Sequence, residues 1–355
     1  MGEDIGVGKI VGRIPYIDSC RGFVILLVVV GHVVQCLYRP KEFDNDVLFR
    51  VIYAFHMPFF FFLSGYVSKS DIKFSNELIH VAKKRILQLI LPFCLWGVYL
   101  NILDYEEPLY MFFLRPDHGL WFCFHLCVVI VYCSVLMCFS KIIPYGGGRI
   151  SKIVMLVLGY LILKRLSDWN IYDYCQTAML LYFYPYYAVG MLLGDFRNLL
   201  EKYQFSFVTT VLFIVAFFTL ASVWYRVPNA IPVDAHQYVV ILNSLLSYKY
   251  ITAFLGIFAT VIFFSQFSHN SSNFLIHLGK YSLGIYVIHF VIIKTFSDLC
   301  YQLFKPYCES FVGLVGNSIL LLIITMILIG AIKKCKYVAL ITIGDVNRDS
   351  LDRKI

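Results

Sequence analysis

YIDSCRGFVILLVVVGHVV, residues 16–34, decides what kind of protein this is. From Gly22 the chain is apolar, and with its continuation to residue 38 the run is long enough to cross a bilayer as a helix. Three ionisable residues nevertheless sit in or beside it: Asp18, Arg21 and His32. At about 100° per residue, the 11 steps from Arg21 to His32 return to within about 20° of one helix face, and Asp18 precedes Arg21 by three residues on that face. A rise of about 1.5 Å per residue puts His32 roughly 16 Å deeper than Arg21, near the bilayer midplane.

An ionisable group at that depth is costly and faces a bundle interior or a watery cavity. Uncharged imidazole has the lower desolvation cost there, and it is the form a general base requires. Two readings of His32 stand side by side: a base, or a histidine that only hydrogen-bonds between helices. Asp18 and Arg21 are open to the same pair of readings, as part of a site or as an interfacial ion pair with Arg21 snorkelling.

The next apolar run contains FHMPFFFFLSGY, residues 55–66. His56 and Pro58 mark a second polar, kinked point at membrane depth, and Ser64 with Gly65 permits close helix approach. Phe59 to Phe62 face lipid or fill the core and carry no chemistry.

The whole chain shares this character. Of its 355 residues 60% belong to the AVILMFWYC set and 15% are charged, with a mean hydropathy of +0.75; a soluble chain is about 45–50% apolar and about 25% charged. A single soluble core is excluded. An all-α integral membrane protein of about ten transmembrane helices is expected, with spans near 22–38, 47–67, 86–102, 119–140, 152–166, 178–194, 207–225, 248–267, 277–297 and 312–332. Residues 1–332 read as one transmembrane domain and 333–355 as a short basic tail, with no cleaved signal peptide. The inner segments would hold 20 Lys and Arg and the outer loops 8, so both termini are expected in the cytoplasm.

Basic residues facing anionic membrane lipids account for the net charge of +8 without a nucleic-acid partner. Segment 68–85 reads as an interfacial helix ending in Lys83, Lys84 and Arg85. Gly146, Gly147 and Gly148 form an inner turn, and the long outer loop near 226–247 holds Pro228, Pro232, Asp234 and His236. Most of the eleven cysteines sit in apolar runs as small core residues; Cys300 and Cys308, in one expected outer loop, are the pair left open to bonding. His125 reads as packing, His118 stays open, and no histidine spacing suits a metal.

The segment from Tyr16 to Val34, with Arg21 and His32 ten residues apart, followed by IYAFHMPFFFFLSGY (52–66), resembles the acyltransferase 3 family of polytopic membrane acyltransferases, and within it the fucose 4-O-acetylase-like branch. KKRILQLILPF (83–93), GLWF (119–122), YYAVGMLLG (186–194) and LGKYSLGIYVIH (278–289) are similar to later family blocks in the same order. Arg21 stands where many relatives have Lys before Gly, which keeps the charge. Members with a second, extracytoplasmic domain carry it after the spans, and none is expected here.

The resemblance implies a multi-pass cell-membrane enzyme that moves an acyl group, usually acetyl, from cytoplasmic acyl-CoA to a hydroxyl of a cell-envelope glycan or lipid-linked sugar. His32 would act as general base or acyl relay, with Arg21 and Asp18 beside it. Lys83, Lys84 and Arg85 would hold the acetyl-CoA phosphates, against the alternative of a lipid-headgroup anchor. His56, Trp121, Tyr286 and His289 would line the acyl or sugar path, although packing explains Trp121 and Tyr286 equally well. A proton-coupled transporter or flippase of a sugar-containing substrate is the rival class.

Overall fold

The computed structural model describes residues 14–346 apart from 39–40, 42, 69, 73–75, 105–113, 115, 117–118, 143–147, 171, 198–204, 227–230, 233–235 and 267–272. His118, Gly146, Gly147, Pro228 and Asp234 lie outside the described residues. In chain order the helices are α1 (Pro15–Val33), α2 (Val47–Tyr53), α3 (His56–Tyr66), α4 (Asn76–Arg85), α5 (Leu91–Asp104), α6 (Trp121–Ser140), α7 (Arg149–Trp169) and α8 (Thr177–Asp195). They continue as α9 (Phe207–Ala221), α10 (Gln237–Ser244), α11 (Leu246–Gln266), α12 (Asn273–Lys280), α13 (Ser282–Cys308), α14 (Phe311–Ile332) and α15 (Lys336–Ile343). Among the described residues there is no strand.

Helix overlies each of the ten expected spans, and seven helical stretches among the described residues are long and apolar enough to cross a membrane. The three others differ for visible reasons. α9 is apolar but has only 15 residues. α7 carries Arg149, Lys152, Lys164 and Arg165, and α8 is diluted by Tyr182, Tyr184, Tyr186 and Tyr187.

Burial is graded from centre to rim. α1 lies in the middle, against α2, α3, α11, α12, α13 and α14. α3 is buried along nearly its whole length, and Phe59 to Phe62 are core filling. By contrast α9 and α14 turn Phe207, Leu212, Val312 and Ile327 outward, more than 60% exposed, which suits hydrocarbon as the surrounding medium.

Close helix approach is set by glycine, as Ser64 and Gly65 suggested. A Cβ on Gly65 would stand 2.1 Å from the Tyr187 carbonyl oxygen, and one on Gly190 2.1 Å from that of Phe62, so α3 and α8 touch backbone to backbone. The second span is broken as expected: α2 ends at Tyr53, Phe55 leaves helical geometry (φ −143°, ψ −18°), and Pro58 falls in the first turn of α3, where its missing N–H costs little.

One region differs from the sequence reading. Cys300 and Cys308 lie on α13 and not in an outer loop, because the first helix-breaking residue after His289 is Pro306; neither cysteine is bonded. The tail contains α15, which packs on α5, with Trp96 Nε1 donating to the Thr342 carbonyl at 2.8 Å.

Candidate functional site

Helix α1 carries the site from one end of the bundle to its middle. At its first turn Tyr16 and Tyr66 share a hydrogen bond of 2.9 Å, which puts the end of α3 beside the start of α1. A Cβ on Gly279 would stand 1.9 Å from the Asp18 carbonyl oxygen, so α12 lies directly on the same turn. Asp18 is buried and pairs with Arg21 at 3.6 Å, while the arginine stays partly open. Of the two sequence readings, this geometry contains the ion pair.

His32 lies 11 residues further along α1, roughly 16 Å away along the axis. A wider, π-helical turn at Val34–Tyr38 follows it. The ring is only partly covered, and its partner is His289 of α13, fully buried, with Nδ1 of His32 and Nε2 of His289 3.0 Å apart.

The protons can be assigned from what surrounds the pair. Nδ1 of His289 lies 2.5 Å from the Ile285 carbonyl oxygen, which only accepts, so this nitrogen carries a hydrogen. In an uncharged His289, Nε2 is then an acceptor, and His32 donates to it from Nδ1. The lone pair of His32 is thereby placed on Nε2. Phe290 covers the His32 ring edge-on at 4.9 Å, and Tyr286 lies one helical turn before, its ring 6.3 Å from that of His289.

The other candidates fall into two groups. His56 is buried at the break between α2 and α3, where its Nδ1 donates to the Ile52 carbonyl at 2.8 Å, and Tyr53 meets it edge-on at 4.6 Å. Trp121 stacks on Phe183 at 5.1 Å and reaches Tyr286 through Phe122. His125 is fully buried and donates Nδ1 to the Trp121 carbonyl.

Lys83, Lys84 and Arg85 end α4, a helix with no buried residue. Arg85 donates to Gln88 at 2.7 Å. The structure therefore joins His32 to His289, and Asp18 to Arg21. Among the described residues no three His, Cys, Asp or Glu side chains gather as metal ligands.

The sequence offers His289 for the acyl or sugar path and does not reveal it as the partner of His32, because 257 residues separate them. It also gives no role to Arg50, which is 8% exposed and donates Nη1 to the Ser222 carbonyl at 2.8 Å.

Comparison with known proteins covers almost the whole chain. The family profile described as an acyltransferase domain matches residues 14–333. A protein named nodulation protein NolL from Mesorhizobium japonicum is 25% identical over 215 residues, 56% of this chain and 54% of that protein. One of the same name from Sinorhizobium fredii is 36% identical over 81 residues, 22% of each. The chain thus spans about half the length of the first relative. No solved structure matches it.

Proposed function

The chain belongs to this acyltransferase family, and from that premise we propose that it is a membrane O-acyltransferase carrying an acetyl or similar acyl group from acyl-CoA to a hydroxyl of a glycan or lipid-linked sugar. One observation carries the assignment of the reacting end: the Ile285–His289–His32 relay, which orients the lone pair of His32 Nε2. A sugar hydroxyl is a poor nucleophile until a base takes its proton.

In the reaction His32 Nε2 removes that proton as the oxygen attacks the thioester carbonyl. The C–O bond forms, the C–S bond breaks, and the departing thiolate takes the proton back from His32 to leave as coenzyme A thiol. His289 is a positioning residue, which fixes the tautomer and stabilises the transient imidazolium through its Nε2.

The donor enters at the Asp18 end. Coenzyme A is a polyanion, and Lys83, Lys84, Arg85 and Arg21 offer charge there, while the uncharged pantetheine arm spans the roughly 16 Å from Arg21 to His32. The Lys and Arg asymmetry makes that end cytoplasmic.

The test is transfer of labelled acetyl from acetyl-CoA in membranes, with mass spectrometry of the envelope glycan. His32→Ala is expected to lower transfer about 10²–10⁴-fold, the usual cost of losing a general base, while the protein still accumulates. Near-normal acylation in that variant overturns the role of His32.

A further inference from the structure

At the end of the bundle opposite Asp18, one buried arginine has no counter-ion among the described residues. Arg50 sits on α2, 8% exposed; its guanidinium lies 4.4 Å from the Tyr225 ring centroid and donates Nη1 to the Ser222 carbonyl. Nε has no acceptor, and among the described residues no carboxylate reaches the group. The Nε edge is the side of the fork that grips a carboxylate or phosphate in two parallel hydrogen bonds.

The acids nearby in sequence are already engaged. Asp44 holds Arg226 by two hydrogen bonds of 2.8 and 2.9 Å, and Asp46 caps α2 through the Phe49 N–H. Arg226 is paired with a carboxylate, whereas the buried Arg50 is held only by an uncharged carbonyl and a ring, so its charge is left for an anion to neutralise.

The receptor is preorganised. Asn243, itself buried, accepts from the Tyr225 N–H and donates to the Val223 and Val239 carbonyls, each at 2.8–2.9 Å. That clamp fixes the 222–225 turn, and with it both the carbonyl and the ring that hold Arg50.

Position links this receptor to the reaction. The Tyr53 ring lies against Gly31, where an added Cβ would come within 3.0 Å of it, and Gly31 is the residue before His32. Arg50 stands three residues before Tyr53 on α2, about one turn or roughly 5 Å along the axis.

We propose that Arg50, held between the Ser222 carbonyl and the Tyr225 ring, is an oxyanion subsite of the acceptor, taking a phosphate or carboxylate that the acceptor carries. This rests on the transfer reaction proposed above. It enters from the end opposite the donor cations, so donor and acceptor meet at His32 from two sides.

The test uses the full chain in phosphatidylcholine vesicles without any donor, and reads thermal stabilisation by hexose 1-phosphate, methyl hexoside and inorganic phosphate. Hexose 1-phosphate should stabilise the protein at lower concentration than methyl hexoside. Arg50→Gln should weaken its apparent affinity by about tenfold or more, the loss expected for one charge-assisted pair, with Arg50→Lys between. Should Arg50→Gln fail to fold, Tyr225→Leu, which removes the ring and keeps the charge, is expected to weaken the same ligand.

In transfer assays the advantage of a phosphate-bearing acceptor over a neutral one should collapse in Arg50→Gln. Equal stabilisation by charged and neutral sugars, or an unchanged affinity in both variants, overturns the subsite. So does stabilisation of the wild type by phosphatidylglycerol vesicles alone, which would make the occupant a lipid headgroup. Phosphate-dependent stabilisation without any acetyl transfer would keep the subsite and overturn the reaction instead.

Discussion

His32 and His289 illustrate how one backbone carbonyl can set the chemistry of a side chain it does not touch. The Ile285 oxygen fixes the proton on His289 Nδ1, this makes Nε2 an acceptor, and the acceptor fixes the proton on His32 Nδ1. Removing the middle member leaves His32 free to rotate and to adopt either tautomer. His289→Gln keeps an oxygen able to accept from His32, and His289→Ala keeps nothing. Transfer should therefore fall in the order wild type, His289→Gln, His289→Ala, with the loss in kcat and little change in KM for acyl-CoA. Because the pair acts as a unit, the double variant His32→Ala with His289→Ala should be about as slow as His32→Ala alone. Independent, multiplying losses would show that His289 acts elsewhere. His32 was legible in the sequence because it is the lone ionisable residue of an apolar run; its partner was not, since apolar neighbours surround both and only the packing of α1 on α13 brings them together.

At the scale of elements, apolar run length located helices well and helix ends poorly. The kink at His56 and Pro58 was readable because proline and a buried polar ring are local signals. The extension of α13 past Cys300 and the helical tail α15 were not. Lys333, Lys334 and Lys336 hide the tail's packing residues, Ala339 and Ile343, behind a basic composition. Glycines make a sharper test of the packing itself. At Gly65 an added methyl meets backbone of α8 that cannot move aside, whereas at Gly330 nothing lies within 4 Å. Gly65→Ala should cost about 1–3 kcal/mol by overpacking and lower Tm in detergent. Gly330→Ala should leave Tm unchanged or raise it slightly, because alanine favours helix over glycine. Equal effects at the two positions would mean that α3 and α8 do not cross as described.

At the scale of the whole molecule, the proposed reaction requires two ends with different charge. One end presents Arg21, Lys83, Lys84 and Arg85 for a polyanionic donor; the other presents Arg50 beside the engaged pair of Asp44 and Arg226. In the proposed scheme the 20 to 8 division of Lys and Arg assigns the Arg21 end to the cytoplasm, because translocating a basic loop is opposed and retaining it is not. Two native cysteines at opposite ends of this scheme are exposed and can report it. Cys335 follows α14 on the side assigned to the cytoplasm, and Cys175 lies between α7 and α8 on the other. In intact cells making variants that lack the third exposed cysteine, Cys300, and retain only one of these two, an impermeant maleimide should label Cys175 directly and Cys335 only after permeabilisation. Direct labelling of Cys335 would put the donor cations outside the cell, where acyl-CoA is not supplied, and the entry of the donor past Arg21 would have to be abandoned.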